Sequence, residues 1–162
     1  MILFVSGQYA GAQYIHPLIK KWSTKNKIEW NIIAAGASCK YWKETNVKHT
    51  CINKISHSIV SDYLEYLKPT LVITSTSINY DFEAVFIIEA KKKSIPTASF
   101  IDFWSNYLNR FKYGGDLVFP DNIFAIDHRS VIEMTTEGVP ENLIKMIGQP
   151  YFEEVQNNIV EI

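Results

Sequence analysis

The sequence predicts an α/β domain: three layers, with a mostly parallel central sheet of about six to seven strands between layers of helices. Three observations lead there. Short apolar, β-branched runs alternate with segments of helical period along the whole chain. Two of these runs, 1–6 and 71–74, are apolar without alternation, as strands covered on both faces are. Strand and helix signals also take turns, which implies parallel pairing through right-handed crossovers.

Met1 to Ser6 is the first strand. Gly7-Gln8-Tyr9-Ala10-Gly11-Ala12-Gln13 follows, and Ile15, Leu18, Ile19 and Trp22 then give one helical face. Such a junction leaves backbone N–H groups free at a helix start. Its glycine spacing is not that of a dinucleotide fingerprint, and no Gly-Lys-Ser/Thr follows to make a phosphate loop. Gly7 and Gly11 have two readings, close helix–sheet packing or ligand contact, while Gln8 and Gln13 can reach a hydroxylated ligand. Ile28 to Ala35 is the second strand, ended by Gly36, and residues 36–45 form a loop with a short helix. Val47 to Ile52 alternates and is half polar, so it belongs near an edge.

Asn53 or Ser56 caps the next helix, whose face is Ile55, Ile59, Tyr63, Leu64 and Leu67, and Pro69 ends it, biasing Lys68 toward extended backbone. Leu71 to Thr74 is a fully buried strand with three hydroxyls, Ser75, Thr76 and Ser77, at its carboxyl end. Asn79 caps a helix with Asp81 and Glu83 in its first turn and Lys91 to Lys93 at its end, as the helix dipole prefers. Phe82, Val85, Phe86 and Ala90 face inward. Thr97 to Ile101 is the fifth strand, Tyr113 to Asp116 a turn, and Asn122 to Ile126 the sixth strand. Asp127 caps a helix ended by Gly138. Leu143 to Ile147 is the last strand. The 162 residues suit one domain, 1–162, with a core able to stand without disulfides, 151–162 being a tail or the start of a helix leading out of it.

The formal charge of −1 gives no electrostatic reason to expect a nucleic-acid partner. The sign is uneven: residues 1–68 carry nine lysines against four acids, and 69–162 carry seven basic residues against thirteen acids. Cys39 and Cys51 have neither metal-ligand spacing nor the number that a disulfide framework needs, which points to a reducing, cytoplasmic setting and no metal. No apolar run approaches the roughly 20 residues that span a bilayer.

The segment after the fifth strand has the composition of a site. Asp102, Trp104, Ser105, Asn106 and Tyr107 can each hydrogen-bond, stack or both, whereas a purely connecting loop uses Gly, Pro, Ser and Asn. In open α/β sheets ligands bind just beyond the carboxyl ends of the strands. Trp104 and Tyr107 either offer a ring face to a ligand or fold back onto the core. Asp102 is the leading general-base candidate, with acceptance of its own loop's N–H groups as the other reading. Arg110 can hold a phosphate or carboxylate bidentately or sit in an ion pair. His128, beside Asp127, is a second acid/base candidate.

Four places carry a family resemblance: Val5-Ser6-Gly7 with Gly11-Ala12-Gln13; Val72 to Ser77; Ile101-Asp102-Phe103-Trp104-Ser105-Asn106-Tyr107 with Arg110-Phe111; and Ile123 to Asp127 leading through Gly138-Val139-Pro140 to Ile147-Gly148-Gln149-Pro150-Tyr151. In that order the chain resembles the N-terminal, acceptor-side domain of GT-B-type glycosyltransferases and of UDP-N-acetylglucosamine 2-epimerases. The resemblance implies a Rossmann-like fold and a sugar acceptor held by the loops after the first, fourth and fifth strands. It also implies bacterial-type polysaccharide or glycoconjugate synthesis, no cofactor, and a second, donor-binding domain or chain. Half a cleft cannot orient both substrates, so activity of the chain alone is not expected. A non-catalytic sugar- or partner-binding module, with a homo-oligomer among the partners, and a stand-alone flavodoxin-like nucleotide binder are the other readings.

Overall fold

In the computed structural model, which describes residues 1–25, 28–78 and 80–159, the first apolar run becomes strand β1 (Ile2–Ser6) and sets the layering. Side chains alternate along a strand. Phe4 therefore joins a core cluster on one face with Ile15 and Ile19 of helix α1 (Tyr9–Lys25) and Trp42 of α2 (Gly36–Glu44). Leu3 and Val5 join the opposite cluster, with Val60 and Leu64 of α3 (His57–Leu67) and Phe82, Val85 and Phe86 of α4 (Phe82–Lys92). A third cluster gathers Ile101, Tyr107 and Phe111 with Ile123 and Met134.

The remaining strands of the main sheet are β2 (Trp30–Ala34), β3 (Thr50–Cys51), β4 (Leu71–Thr74), β5 (Thr97–Phe100), β8 (Asn122–Ala125) and β9 (Ile144–Met146). Their order is β3-β2-β1-β4-β5-β8-β9, and every neighbouring pair is parallel. This is the three-layer, Rossmann-like architecture that the alternation of elements predicts, with seven strands. The expected turn at Tyr113–Asp116 closes a two-stranded antiparallel ribbon, β6 (Lys112–Tyr113) and β7 (Asp116–Leu117). Gly114 and Gly115 take φ of 58° and 93° there, the pair of positive values that a tight hairpin demands.

Local signals set the boundaries. Ser56 caps α3, its hydroxyl accepting from the Ile59 N–H. Asp127 and Ser130 form a reciprocal capping box on α5 (His128–Glu137), and Gly138 closes it with φ of 102°. Lys68 departs from its expected extended backbone: it takes a left-handed conformation (φ 48°) and donates its N–H to Leu64 O. Closing α3 outweighs the bias from Pro69. The cap expected at Asn79 lies outside the described residues.

One further expectation is corrected. Cys39 and Cys51, read as unpaired, form a disulfide: Cys51 on β3 pairs with Ala34 at the end of β2, Cys39 stands in the first turn of α2 just beyond, and their Cα atoms are 5.8 Å apart. Of the two readings of the last segment, a tail or the start of a helix, the structure forms a helix, α6 (Pro150–Ile159), packed against α1. Tyr151 meets Tyr14 edge to face at 5.7 Å, and Lys20 pairs with Glu154 at 2.7 Å. No helix among the described residues is long and apolar enough to cross a membrane.

Candidate functional site

The sheet reverses its winding between β1 and β4. The chain leaves β1 toward α1 on one face and leaves β4 toward α4 on the other, so a crevice opens beyond their carboxyl ends. Gln8, Thr76, Ser77, Ile78, Asp102 and Arg110 line a hollow of about 300 Å³ there. The structure thus brings together five of the sequence candidates from three separate loops.

The floor of the hollow is an ion pair. An Nη1 hydrogen of Arg110 meets Asp102 Oδ1, and both side chains are almost fully buried. Nη1 also donates to Thr76 Oγ1 at 3.1 Å, while Nε donates to the Ser105 carbonyl at 3.1 Å. The Thr76 hydroxyl in turn donates a hydrogen bond to the Phe100 carbonyl at 3.0 Å. Three of the five guanidinium hydrogens are therefore committed to protein acceptors. The bidentate anion clamp considered for Arg110 is not formed with its Nε edge, and the two charges of the floor offset each other. Burial pushes the Asp102 carboxyl above its ordinary range, against the pull of Arg110.

The glycines act by close approach. Gly7 and Gly11 are buried. A methyl group on Gly11 would lie 2.4 Å from Ser75 Cβ, and one on Gly7 would lie 2.6 Å from the Tyr80 ring. Of their two readings, packing is the one that these contacts describe. Gln13 is half-buried on α1 and does not line the hollow.

Four more candidates lie together on the 102–107 loop, away from this hollow. Trp104, Ser105, Asn106 and Tyr107 line a second hollow of about 420 Å³ with Glu133, Thr136 and Glu137 of α5. Trp104 is fixed on three sides. Its indole N–H donates to Asp127 Oδ2 at 2.7 Å, Phe152 of α6 stacks on it at 5.8 Å, and Phe103 meets it edge-on at 5.9 Å. Tyr107 presents no ring face to a ligand: it is 1% exposed, packed in the third cluster, and donates its hydroxyl to Glu133 at 2.8 Å. That burial, and then the Glu133 contact, push its phenol well above the usual range. Asn106 takes φ of 55° and is exposed, so it turns the loop. His128 is exposed on the first turn of α5 and lines neither hollow. Among the described residues no group of three or more histidine, cysteine or acidic side chains converges as metal ligands would.

One residue escapes the sequence reading. Glu83, expected only to serve the dipole in the first turn of α4, is 4% exposed, and its Oε1 accepts from the Gly7 N–H (2.9 Å) and the hydroxyls of Ser75 (2.6 Å) and Ser77 (2.9 Å). The signal lies in its context. Glu83 and Glu89 are the acids inside the apolar run Phe82 to Ala90, and a helix apolar all round is buried; both are indeed buried.

No family model and no curated protein matches the sequence. Solved structures do match in shape. A UDP-GlcNAc 2-epimerase from Methanocaldococcus jannaschii aligns over 98% of this chain and 48% of its own, with a TM-score of 0.70 and 17% identity. The UDP-GlcNAc 2-epimerase from Neisseria meningitidis, bound to UDP-GlcNAc, aligns over 99% and 50%, with a TM-score of 0.72 and 16% identity. Anabaena Alr3699/HepE, in complex with UDP and glucose, aligns over 91% and 44%, with a TM-score of 0.58 and 14% identity. The chain spans about half the length of these proteins. At such identities the likeness is one of fold alone.

Proposed function

We propose that this chain is the acceptor-side half of a GT-B-like glycosyltransferase or nucleotide-sugar epimerase-like protein of bacterial-type polysaccharide or glycoconjugate synthesis. A second domain or chain supplies the donor site. The observation that carries the reading is the hollow at the switch point, walled by an amide, two hydroxyls and an internally neutralised ion pair. Such a surface suits a neutral, many-hydroxyl ligand, since each wall group can exchange hydrogen bonds with a sugar and no net charge awaits a counter-ion.

Asp102 is the general base of this reading. Arg110 holds one carboxylate oxygen, and burial makes the group a better proton acceptor than an exposed aspartate. Tyr9, Tyr80 and Phe103 stand more than a third exposed beyond β1, β4 and β5, where the second half, or a second copy of the chain, seats. The reading places the protein in the cytoplasm. The Arg110–Asp102 contact also favours a second reading, a sugar-binding module without catalysis, because it occupies the one carboxylate in the hollow.

The test is a titration of the chain with methyl glycosides and with UDP, followed by amide chemical shifts. We expect the glycosides to move Gln8, Thr76 and Ser77, and UDP alone to leave them in place. Tight binding of UDP in this hollow would overturn the acceptor-side assignment. Transfer or epimerisation that appears on adding a donor-binding chain and disappears in Asp102→Asn separates catalysis from mere binding.

A further inference from the structure

A buried carboxylate with nothing but neutral donors around it is costly, so its position calls for a cause. Glu83 stands in the first turn of α4 among Phe82, Ala84, Val85 and Phe86, all buried. An apolar side chain would suit that turn better. Its Oε1 nevertheless gathers three donors from two loops: the Gly7 N–H from the turn after β1, and the Ser75 and Ser77 hydroxyls from the stretch after β4. Its Oε2 has no hydrogen-bond partner among the described residues. Those two loops diverge to opposite faces of the sheet, and between them lies the hollow.

The neighbours of these donors form the wall. Gln8 follows Gly7 directly, and its carbonyl accepts from the Ala12 N–H, so the turn runs straight into α1. Ser77 is both a donor to Glu83 and a lining residue. The Tyr80 ring lies over Gly7, close enough to leave no room for a methyl group, and stacks on Phe82. The turn is thereby pressed onto Glu83 from above.

We propose that Glu83 is the positioning residue of the switch-point hollow: one carboxylate oxygen ties the loop after β1 to the loop after β4 and so sets the separation of Gln8 from Ser77. The inference deepens the reading of the hollow as a sugar site and rests on it. A sugar bridging Gln8 and Ser77 needs both groups held at a fixed span before it arrives, because ordering them on binding would cost affinity. Glu83 supplies that order from behind, without touching the ligand.

Two readings are taken on the full chain: hydrogen exchange of the Gly7 amide, and affinity for methyl N-acetylglucosaminide. Glu83→Leu removes the shared acceptor. We expect exchange at Gly7 to quicken about tenfold and affinity to fall about tenfold, the scale of one buried hydrogen bond lost. Glu83→Gln keeps an acceptor oxygen and recovers most of both. A folded Glu83→Leu whose Gly7 amide stays protected overturns the proposal. So does one whose amide is freed while affinity stays unchanged, since the residue then serves stability alone. If Glu83→Leu does not fold, Ser75→Ala removes a donor that does not line the hollow; an unchanged affinity there overturns the proposal, and a several-fold loss supports it. Should the wild-type chain bind no glycoside, the sugar reading falls, and the Gly7 amide by itself decides whether Glu83 holds the two loops.

Discussion

The indole of Trp104 lies 5.8 Å from the ring of Phe152 and within 13° of parallel to it. A side chain of the loop after β5 is thus covered by one from α6, and the same indole N–H reaches Asp127 at the start of α5. Trp104 acts as a strut between two helices. We expect Trp104→Ala to cost about 2 kcal/mol, below the range for a full core tryptophan because the residue is half-buried. The amides of α6 should exchange faster in that variant. Urea denaturation and hydrogen exchange check the two halves of this expectation; an unchanged α6 would show that the stack contributes nothing.

The Asp102–Arg110 pair is buried, so its partners are not independent. Arg110→Met strips the counter-charge from Asp102 and should destabilise by about 3–5 kcal/mol, the scale for a broken buried pair. Joining Asp102→Leu to it should return part of that loss. A double-mutant cycle in urea measures the coupling, and simple additivity would contradict the geometry.

Asp127 gives the pH dependence. Burial pushes its carboxyl up, but the Ser130 N–H and the Trp104 indole N–H outweigh it and hold the group below its ordinary range. A depressed carboxylate contributes stability that is full above the unfolded value, about 4, and fades as the pH falls through the folded value. The stability gap between wild type and Asp127→Asn should therefore be wide at pH 6 and narrow on approach to pH 3. Thermal melts at both pH values test it; a gap that grows on acidification would reverse the assignment.

Cys39 and Cys51 close a loop with a sequence separation of 12. A cross-link of that span is worth about 2–3 kcal/mol, so Cys39→Ser/Cys51→Ser should lose that much relative to the oxidised chain and match the reduced chain. Denaturation with and without dithiothreitol measures it. A cytoplasmic setting adds a second expectation, free thiols in acid-quenched cells; labelling that finds them blocked would move the protein out of that compartment.

The strands and their order of appearance were legible because burial on both faces leaves a plain mark: Leu3 to Val5 and Val72 to Ile73 are apolar without a break. Asp127 and Gly138 showed their helix ends for a different reason, that caps are local chemistry, and the same chemistry narrowed the start of α3 to Asn53 or Ser56. What the sequence hid depends on partners far apart along it. Glu83 looks like a dipole acid until Gly7, 76 residues earlier, is placed beside it. Trp104 and Tyr107 read equally as ring faces for a ligand or as packing until their partners are placed, Phe152 of α6 on Trp104 and Glu133 of α5 on the Tyr107 hydroxyl. Cys39 and Cys51 pair because β3 lies beside the end of β2, where α2 begins, a placement that no spacing rule contains. Of the five candidates that do converge, from Gln8 to Arg110, all come from the segments after β1, β4 and β5, and four lie in the stretches that carry the family resemblance.

Strand β1 is the sheet's keystone, with β2 on one edge and β4 on the other. Ile2 pairs with both Trp30 and Leu71, so this strand completes its hydrogen bonding only when a stretch roughly 70 residues later has been made, after a closure whose entropy grows with the intervening chain. Until then one flank of an apolar ribbon stands open to any passing strand. Synthesis that stalls before Leu71 leaves a sticky, half-zippered nascent chain, and the tempo of translation through that interval becomes part of how this molecule reaches its native state.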